Sequence, residues 1–221
     1  ASVVVMPRFE AAAAITLIDK YQISIISLVP TVARLLLEQI EATGATCPSL
    51  RTMTATGEAF PVALKERLAA ALPNVGLWVF YGMTEGGIPA ALRPEEQTLK
   101  PTSVGRPMPG VEIRLMDEAG LQVETGQSGE VQLRSGAPGR AMIAREYFNR
   151  PDANAEAYKG GWFRTGDVGR FDEDGYLHLV DRVKDMILSG GLNVYSREVE
   201  QALETAPAVR EVAVVAGADE E

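Results

Sequence analysis

Residues 1–99 alternate between short β-branched runs and segments whose apolar side chains recur at helical spacing. Such alternation predicts a parallel sheet whose strands are joined by helices. We predict strands at residues 2–6, 22–29, 50–55 and 77–80. The apolar positions of the intervening helices are Ala11, Ala14, Ile15 and Ile18, then Val32, Leu36 and Ile40, and, after Pro61, Leu64, Leu68 and Leu72.

Polar turns follow the third and fourth predicted strands. They are Thr56-Gly57-Glu58-Ala59 and the segment from Tyr81 to Glu85. Parallel strands end at a shared edge of the sheet, where ligands bind, so we expect the two turns to meet there. Tyr81 offers a flat stacking surface, and Gly82 lets the backbone turn or approach closely. Thr84 and Glu85 add a hydroxyl and a hard oxygen ligand, although a strand-to-loop turn with a solvated glutamate fits the same segment.

From about Lys100 the pattern changes to short strands punctuated by glycine and proline. This change predicts a second subdomain with an antiparallel sheet or a partial barrel. Its predicted elements are strands at 111–117 and 129–134, a short helix at 152–158 and a hairpin turn at 172–175.

A third unit is predicted after Asp181. Its expected elements are strands at 186–189, 192–194 and 212–215 and a helix at 196–204, with Gly190-Gly191 as the turn between the first two strands. So few apolar side chains should not form an independent core. We therefore expect this unit to be the opening of a domain whose remainder lies outside the chain.

The composition of the chain limits the kinds of molecule that it could bind. The 221 residues carry a net charge of −9 and no run of Lys or Arg, which argues against binding to nucleic acid. No apolar stretch approaches the ~20 residues that span a bilayer, and no signal-peptide pattern opens the chain, so we expect a cytoplasmic protein without a transmembrane segment.

Two residue types occur once each. Cys47 is the single cysteine, which excludes an internal disulfide and a cysteine-rich zinc site. His178 is the single histidine and lies within an alternating strand, where a structural or half-exposed role is expected rather than membership of a Ser-His-Asp triad.

Four further segments complete a pattern that begins with the two polar turns. They are Gly129-Glu130-Val131-Gln132-Leu133, Phe163-Arg164-Thr165-Gly166-Asp167, Asp181-Arg182-Val183-Lys184-Asp185 and Ser189-Gly190-Gly191-Leu192-Asn193-Val194-Tyr195. In this order they resemble the AMP-forming acyl-CoA synthetase branch of the adenylate-forming (AMP-binding) superfamily, along essentially the whole chain. Nonribosomal-peptide adenylation domains and beetle luciferases belong to the same superfamily.

The resemblance implies a ligase that uses ATP, Mg²⁺ and coenzyme A. A small-molecule carboxylic acid attacks the α-phosphorus of ATP, and coenzyme A then displaces AMP from the acyl-adenylate. The implied fold class is α/β, with a parallel sheet flanked by helices, a β-rich barrel-like subdomain and the start of a small α+β C-terminal lid. The implied division is 1–99 and 100–182 within a large N-terminal domain, then 183–221 for the hinge and a truncated lid. The acid and the oligomeric state stay open.

The resemblance also implies roles for residues of the two turns. Tyr81 would stack on adenine, within a nucleotide-binding segment that includes Gly82. The residues that line the adenine pocket would be Gly57, Glu58 and Ala59. Thr84 would meet the α-phosphate, and Glu85 would ligate Mg²⁺, which makes these two the catalytic candidates.

The resemblance also implies roles for residues of the later segments. Asp167 would accept both ribose hydroxyls with its two oxygens, although a turn or capping aspartate is the alternative. Arg182 would reach the ribose or a phosphate, or would be a surface arginine beside Asp181. By the resemblance, Lys184 is the hinge about which the lid rotates, and Ser189, Gly190 and Gly191 lie on the coenzyme A side.

Two segments of the complete family pattern are missing from the sequence. We find no Ser/Thr/Gly-rich phosphate loop ending in lysine and no C-terminal Gly-Lys segment. The resemblance therefore implies that the chain is a fragment, inactive alone. Rival interpretations are a carrier-protein-loading adenylation domain, which the 189–193 segment disfavours, and a non-catalytic nucleotide-binding module.

Overall fold

The computed structural model describes residues 2–135, 143–189, 192–204, 206, 208–209 and 212–217. The chain divides into two compact units, Ala1–Met108 and Pro109–Glu221. The first contains parallel strands with helices between them, and the second is mainly antiparallel. This arrangement confirms the predicted α/β class with a β-rich part. The finer division at residues 99 and 182 stays a prediction.

The first unit is built on a mixed sheet. In chain order its elements are α1 (Ala11–Tyr21), β1 (Ile25–Leu28), α2 (Pro30–Thr43), β2 (Thr52–Ala55), α3 (Val62–Ala71), β3 (Gly76–Met83), β4 (Gly87–Leu92), a 3-10 helix (Pro94–Glu96) and β5 (Arg106–Pro107). The strands are ordered β1-β2-β3-β4-β5. The first three are parallel because α2 and α3 connect them, whereas β4 and β5 run antiparallel to their neighbours.

The first two helices have terminal residues that favour a helix end. Both carboxylate oxygens of Glu10 accept hydrogen bonds from the first turn of α1, from Ala12 N at 3.1 Å and Ala13 N at 2.7 Å. Pro30 opens α2, and Gly44 ends it in the left-handed conformation. The fully buried side chains of this unit include Ile18, Leu36, Leu37, Leu50, Met53 and Leu92. None of the helices that the structure describes is long and apolar enough to cross a membrane.

The strand predicted at residues 2–6 is wrong. This segment pairs with none of the strands that the structure describes, and the side chains of Val3 and Val5 are 84% and 79% exposed. β-Branched residues favour extended backbone, but a strand also needs a neighbour to satisfy its backbone groups.

The strand predicted at 77–80 is longer than expected. β4 returns antiparallel beside β3, so the ladder continues with Tyr81 opposite Ala90 and Met83 opposite Gly87. Tyr81 therefore lies inside a strand, not in a turn that follows one. The sequence analysis missed β4 because Pro89 and its neighbouring glycines read as a loop.

Hydrogen bonds from two side chains stabilise the segment that connects β4 to β5. The amide nitrogen of Gln97 donates to Leu77 O at 3.1 Å and to Leu92 O at 3.2 Å, which are carbonyls of β3 and β4. Lys65 of α3 is 7% exposed, and its ammonium donates to Pro101 O at 2.6 Å. Burial lowers the pKa of Lys65 from 10.5 to about 8, because a buried ammonium loses hydration.

The second unit contains an antiparallel sheet, as predicted. Its elements are β6 (Val111–Met116), β7 (Gly129–Ser135), α4 (Pro151–Ala157), β8 (Tyr158–Lys159), β9 (Trp162–Phe171) and β10 (Leu177–Arg182). The order is β10-β9-β7-β6, with β8 paired to β9. The predicted hairpin is confirmed, since β9 and β10 pair with Leu177 opposite Phe171. Register shifts in the β7–β9 and β9–β10 pairs mark bulges, which bend strands.

The residues after β10 form smaller elements. They are β11 (Ile187–Ser189), β12 (Leu192–Val194) and α5 (Ser196–Glu204), all close to prediction. β11 and β12 pair antiparallel, with Ser189 opposite Leu192. The strand predicted at 212–215 is wrong, because these residues are irregular and join no ladder with the described strands.

Candidate functional site

The carboxyl ends of β2 and β3 lie side by side. Ala55 of β2 pairs with Val79 of β3 in parallel register, so the residues that follow are neighbours. A Cβ atom placed on Gly82 would lie 3.6 Å from the hydroxyl oxygen of Thr56. The predicted meeting of the two polar segments is therefore confirmed, with Gly57 following directly on Thr56.

Gly82 also has a packing role that the sequence analysis missed. A Cβ atom here would approach the carbonyl oxygen of Gly87 to 2.9 Å, closer than side chains normally come. The β3–β4 register shifts between Tyr81 and Met83, so this is the bulge of the hairpin. A glycine is needed because the neighbouring strand passes so close.

The tip of the β3–β4 hairpin carries Thr84 and Glu85. Thr84 is exposed and Glu85 is half-buried, within a turn in which Gly86 N donates to Met83 O at 3.3 Å. Tyr81 is only 6% exposed, so a base could reach little of its ring in this conformation. The hydroxyl and the carboxylate are thus more accessible than the predicted stacking surface.

The described acidic side chains could bind a metal ion together with a substrate, but they do not form a site made of three or more protein ligands. No group of three or more His, Cys, Asp or Glu side chains suited to a metal ion occurs among the described residues. Mg²⁺ usually takes one or two carboxylates and completes its shell with phosphate oxygens and water. Glu85 beside the Thr84 hydroxyl fits that mode, in which the substrate supplies the remaining ligands.

In the second unit, Asp167 is held by the segment before it. The hydroxyl of Thr165 donates to Val131 O at 2.8 Å and accepts from Asp167 N at 3.0 Å. Gly166 O accepts from Val183 N at 2.8 Å. The Thr165 hydroxyl thus holds the backbone of the turn that carries Asp167.

Asp167 and Arg182 form an ion pair. They face each other across β9 and β10, and Arg182 Nε lies 3.2 Å from Asp167 Oδ1. The Asp167 side chain is 18% exposed and that of Arg182 is 53% exposed. The two residues predicted to contact the ribose are thus in contact with each other, and the guanidinium of Arg182 is exposed to solvent.

The other predicted residues are exposed where the structure describes them. Lys184 is exposed in the turn after β10, and Ser189 is exposed at the end of β11. Gly190 and Gly191 lie outside the described residues. Glu58 and Ala59 are exposed after β2, beside Gly57.

His178 has the structural contact expected of it. Its Nε2 lies 3.2 Å from Asp172 Oδ2, while Asp172 Oδ1 accepts hydrogen bonds from Asp174 N and Tyr176 N in the hairpin turn. The histidine therefore supports the β9–β10 turn.

The fold and these two clusters define the class of protein. The AMP-binding enzyme family matches residues 1–148, which is more than half of the chain. The chain belongs to this family, as the ordered motifs implied, and its curated relatives include acyl-CoA ligases.

Two relatives illustrate the match. A long-chain-fatty-acid–CoA ligase, FadD13 of Mycobacterium tuberculosis, is 36% identical over 97% of this chain and 41% of its own length. A fatty acid–[acyl-carrier-protein] ligase, ScoC of Streptomyces coeruleorubidus, is 36% identical over 99% of this chain and 42% of its own. The chain thus spans about two-fifths of the length of these relatives.

Two solved structures share the fold. The amide bond synthetase McbA of Marinactinospora thermotolerans has a TM-score of 0.88 at 35% identity, covering 97% of this chain and 43% of that one. The O-succinylbenzoate coenzyme A synthetase MenE of Bacillus subtilis, in complex with ATP and magnesium ion, has a TM-score of 0.85 at 32% identity, covering 96% and 43%.

Proposed function

We propose that this chain is the nucleotide-binding and hinge portion of an ATP-dependent acyl-CoA synthetase. The observation that carries the proposal is the pairing of β2 with β3, which brings the Gly57 turn beside Gly82 at one edge of the sheet. Ligands of open α/β sheets bind at this edge. The relatives and the ordered motifs supply the chemistry that such a ligand would undergo.

The proposed reaction has two balanced steps. A carboxylate oxygen attacks the α-phosphorus of ATP, forming an acyl-adenylate as the bond to pyrophosphate breaks. The thiol sulfur of coenzyme A then attacks the acyl carbon, the thioester forms, and AMP leaves as the thiol proton is released. Both steps depend on positioning and on neutralisation of phosphate charge more than on covalent catalysis by the protein.

In this proposal the hairpin tip serves the phosphates. The Thr84 hydroxyl donates to an α-phosphate oxygen, and Glu85 is the protein ligand of Mg²⁺, which would offset charge on the phosphates. Gly57, Glu58 and Ala59 line the adenine side, next to Gly82 and the small exposed part of Tyr81.

Asp167 and Arg182 serve the ribose. The carboxylate accepts hydrogen bonds from the two ribose hydroxyls, and charged hydrogen bonds of this kind contribute about 1.5–3 kcal/mol each. Arg182 holds one carboxylate oxygen by its Nε and keeps the rest of a half-exposed guanidinium for the ligand. Lys184 acts as the hinge, and Ser189, Gly190 and Gly191 flank the coenzyme A path.

The acyl acceptor has a second candidate. ScoC matches this chain as closely as FadD13 does, and its acceptor is an acyl-carrier protein. Incubation of an active enzyme form with ATP, a fatty acid and either coenzyme A or a carrier protein separates the two, because the thioester products differ in mass. A coenzyme A thioester is the expected product, and exclusive loading of the carrier protein would replace our proposal with the alternative.

The nucleotide site can be tested on the chain itself. We expect calorimetry to detect AMP binding, and we expect no carboxylate-dependent pyrophosphate exchange, because the sequence lacks the phosphate-loop and Gly-Lys lysines. Absence of AMP binding would contradict the nucleotide site. Robust exchange would show that activation of the acid needs neither lysine segment, so the fragment would not be inactive.

A further inference from the structure

One carboxylate joins the end of β10 to the start of α5. Asp181 Oδ2 accepts hydrogen bonds from the Ser196 hydroxyl at 2.9 Å and from Arg197 N at 3.3 Å. Ser196 is the first residue of α5 and is buried. A carboxylate at this position satisfies an otherwise unpaired amide of the first helical turn and interacts favourably with the helix dipole.

The other oxygen of the same carboxylate holds Arg182. Asp181 Oδ1 accepts from Arg182 N at 2.8 Å. Arg182 O in turn accepts from Asp185 N at 3.0 Å and Met186 N at 3.1 Å. The backbone of Arg182 is thus fixed on one side by Asp181 and on the other by the turn that contains Lys184.

These contacts link α5 to the Asp167–Arg182 pair. If α5 moved away, Oδ2 of Asp181 would lose both of its donors, and the carboxylate would be free to rotate about its χ2 bond. Rotation would remove Oδ1 from Arg182 N and loosen the residue whose Nε contacts Asp167. Asp181 contacts both the start of α5 and the backbone of Arg182, so it connects the helix to the residue that forms the ion pair.

We propose that Asp181 is a positioning residue that couples the docking of α5 to the orientation of Arg182. The inference rests on the proposed function, in which Arg182 and Asp167 hold the ribose. Its consequence is reciprocal, as thermodynamic linkage requires: docked α5 favours nucleotide binding, and bound nucleotide favours docked α5.

The first test uses the nucleotide-free chain and the ¹H–¹⁵N signal of the Arg182 Nε–H group, assigned by its loss in Arg182→Lys. We expect Asp181→Asn and Ser196→Ala to shift or broaden this signal. We also expect the α5 amides to exchange about tenfold faster with deuterium in both variants. Glu198→Gln is the matched control, because Glu198 is an exposed acid of the same first turn. An unchanged Arg182 signal in Ser196→Ala, with faster exchange in α5, would reduce Asp181 to a helix cap and overturn the coupling.

The second test adds AMP. We expect saturating AMP to slow exchange of the α5 amides in the wild type but not in Ser196→Ala, which should bind AMP several-fold more weakly. If AMP binds and leaves α5 exchange unchanged, the coupling is wrong while the nucleotide site stands. If AMP does not bind, the proposed function fails, and the nucleotide-free test still decides whether Asp181 connects α5 to Arg182.

Discussion

Arg182 approaches the carboxylate of Asp167 from the neighbouring strand, with Nε 3.2 Å from Oδ1. The aspartate is the more buried partner and the arginine is half-exposed. A pair with one solvent-exposed partner contributes little to stability, about 0–1 kcal/mol. In the proposed function, the role of the pair is to orient the Asp167 carboxylate toward the ribose.

Replacement of Asp167 by asparagine should weaken AMP binding. The amide offers a donor where the ribose needs an acceptor, and a loss of about 1.4–3 kcal/mol corresponds to a tenfold or larger rise in Kd. Calorimetry on the chain measures the effect. Glu173→Gln makes the same acid-to-amide change in the exposed β9–β10 turn and should leave Kd unaltered. Equal affinities for the Asp167 variant and the wild type would remove Asp167 from the site.

Replacement of Lys184 by proline should separate the two half-reactions of an active enzyme form that contains this chain. Proline fixes φ near −65°, so a backbone that must adopt two conformations at this residue would lose one of them. We expect thioester formation to slow at least tenfold more than adenylation, as timed by coenzyme A-dependent AMP release and by pyrophosphate release. Lys184→Ala removes the side chain but keeps the backbone freedom, and it should affect both steps little. Equal slowing of both steps by the proline would count against a hinge.

Replacement of Gly105 by alanine should unfold the first unit or destabilise it by at least about 3 kcal/mol. A Cβ atom at this residue would fall 1.8 Å from Ala91 O, and that backbone belongs to the buried strand β4. Gly110→Ala separates the clash from backbone strain, because Gly110 also has a positive φ, 86°, with nothing within 4 Å of the added atom. We expect Gly110→Ala to lower the free energy of unfolding by about 1 kcal/mol. Urea unfolding of both variants gives the comparison, and similar losses would contradict the clash.

Replacement of Lys65 by methionine should change how stability depends on pH. The folded-state pKa is about 8 against 10.5 for the free side chain, so between these values the unfolded chain binds more protons. The contribution of Lys65 to the free energy of unfolding therefore rises with pH across this window. The free energy of unfolding of the wild type should therefore rise by about 3 kcal/mol relative to that of Lys65→Met from pH 7.5 to 10.5. Lys159→Met, at an exposed lysine, should show no such trend, and a pH-independent difference for Lys65→Met would contradict the shift.

The sequence predicted elements best where local chemistry and pairing agree. Helix α5 was predicted from Ser196 to Glu204, as observed. Residues 2–6 and 212–215 have the composition of strands but join none of the ladders in the described part of the chain. Pairing depends on residues distant in sequence, which a local pattern does not contain.

In the candidate site, too, the sequence predicted individual residues but not the contacts between residues that are distant in the chain. Asp167 and Arg182 were both identified from motifs, and their contact needed the β9–β10 register. The position of Tyr81 inside a strand was missed because β4, which pairs with that strand, reads as a loop. Asp181 was noticed only as a neighbour of Arg182, since its contacts with Ser196 and Arg197 join residues 15 and 16 positions apart.

The amide of Gln97 ties the two strands of the β3–β4 hairpin together at their base. It clamps the carbonyls of Leu77 and Leu92 at the base, while the tip that carries Thr84 and Glu85 is roughly 20 Å further along at about 3.3 Å per residue. Between base and tip, β2 pairs with β3 as far as Val79 and β5 pairs with β4 at Ala90 and Ala91. Beyond these residues β3 and β4 pair with each other. Loss of the Gln97 contacts would therefore loosen the strands that carry Thr84 and Glu85, which the proposed function assigns to the phosphates, although Gln97 itself lies far from that tip.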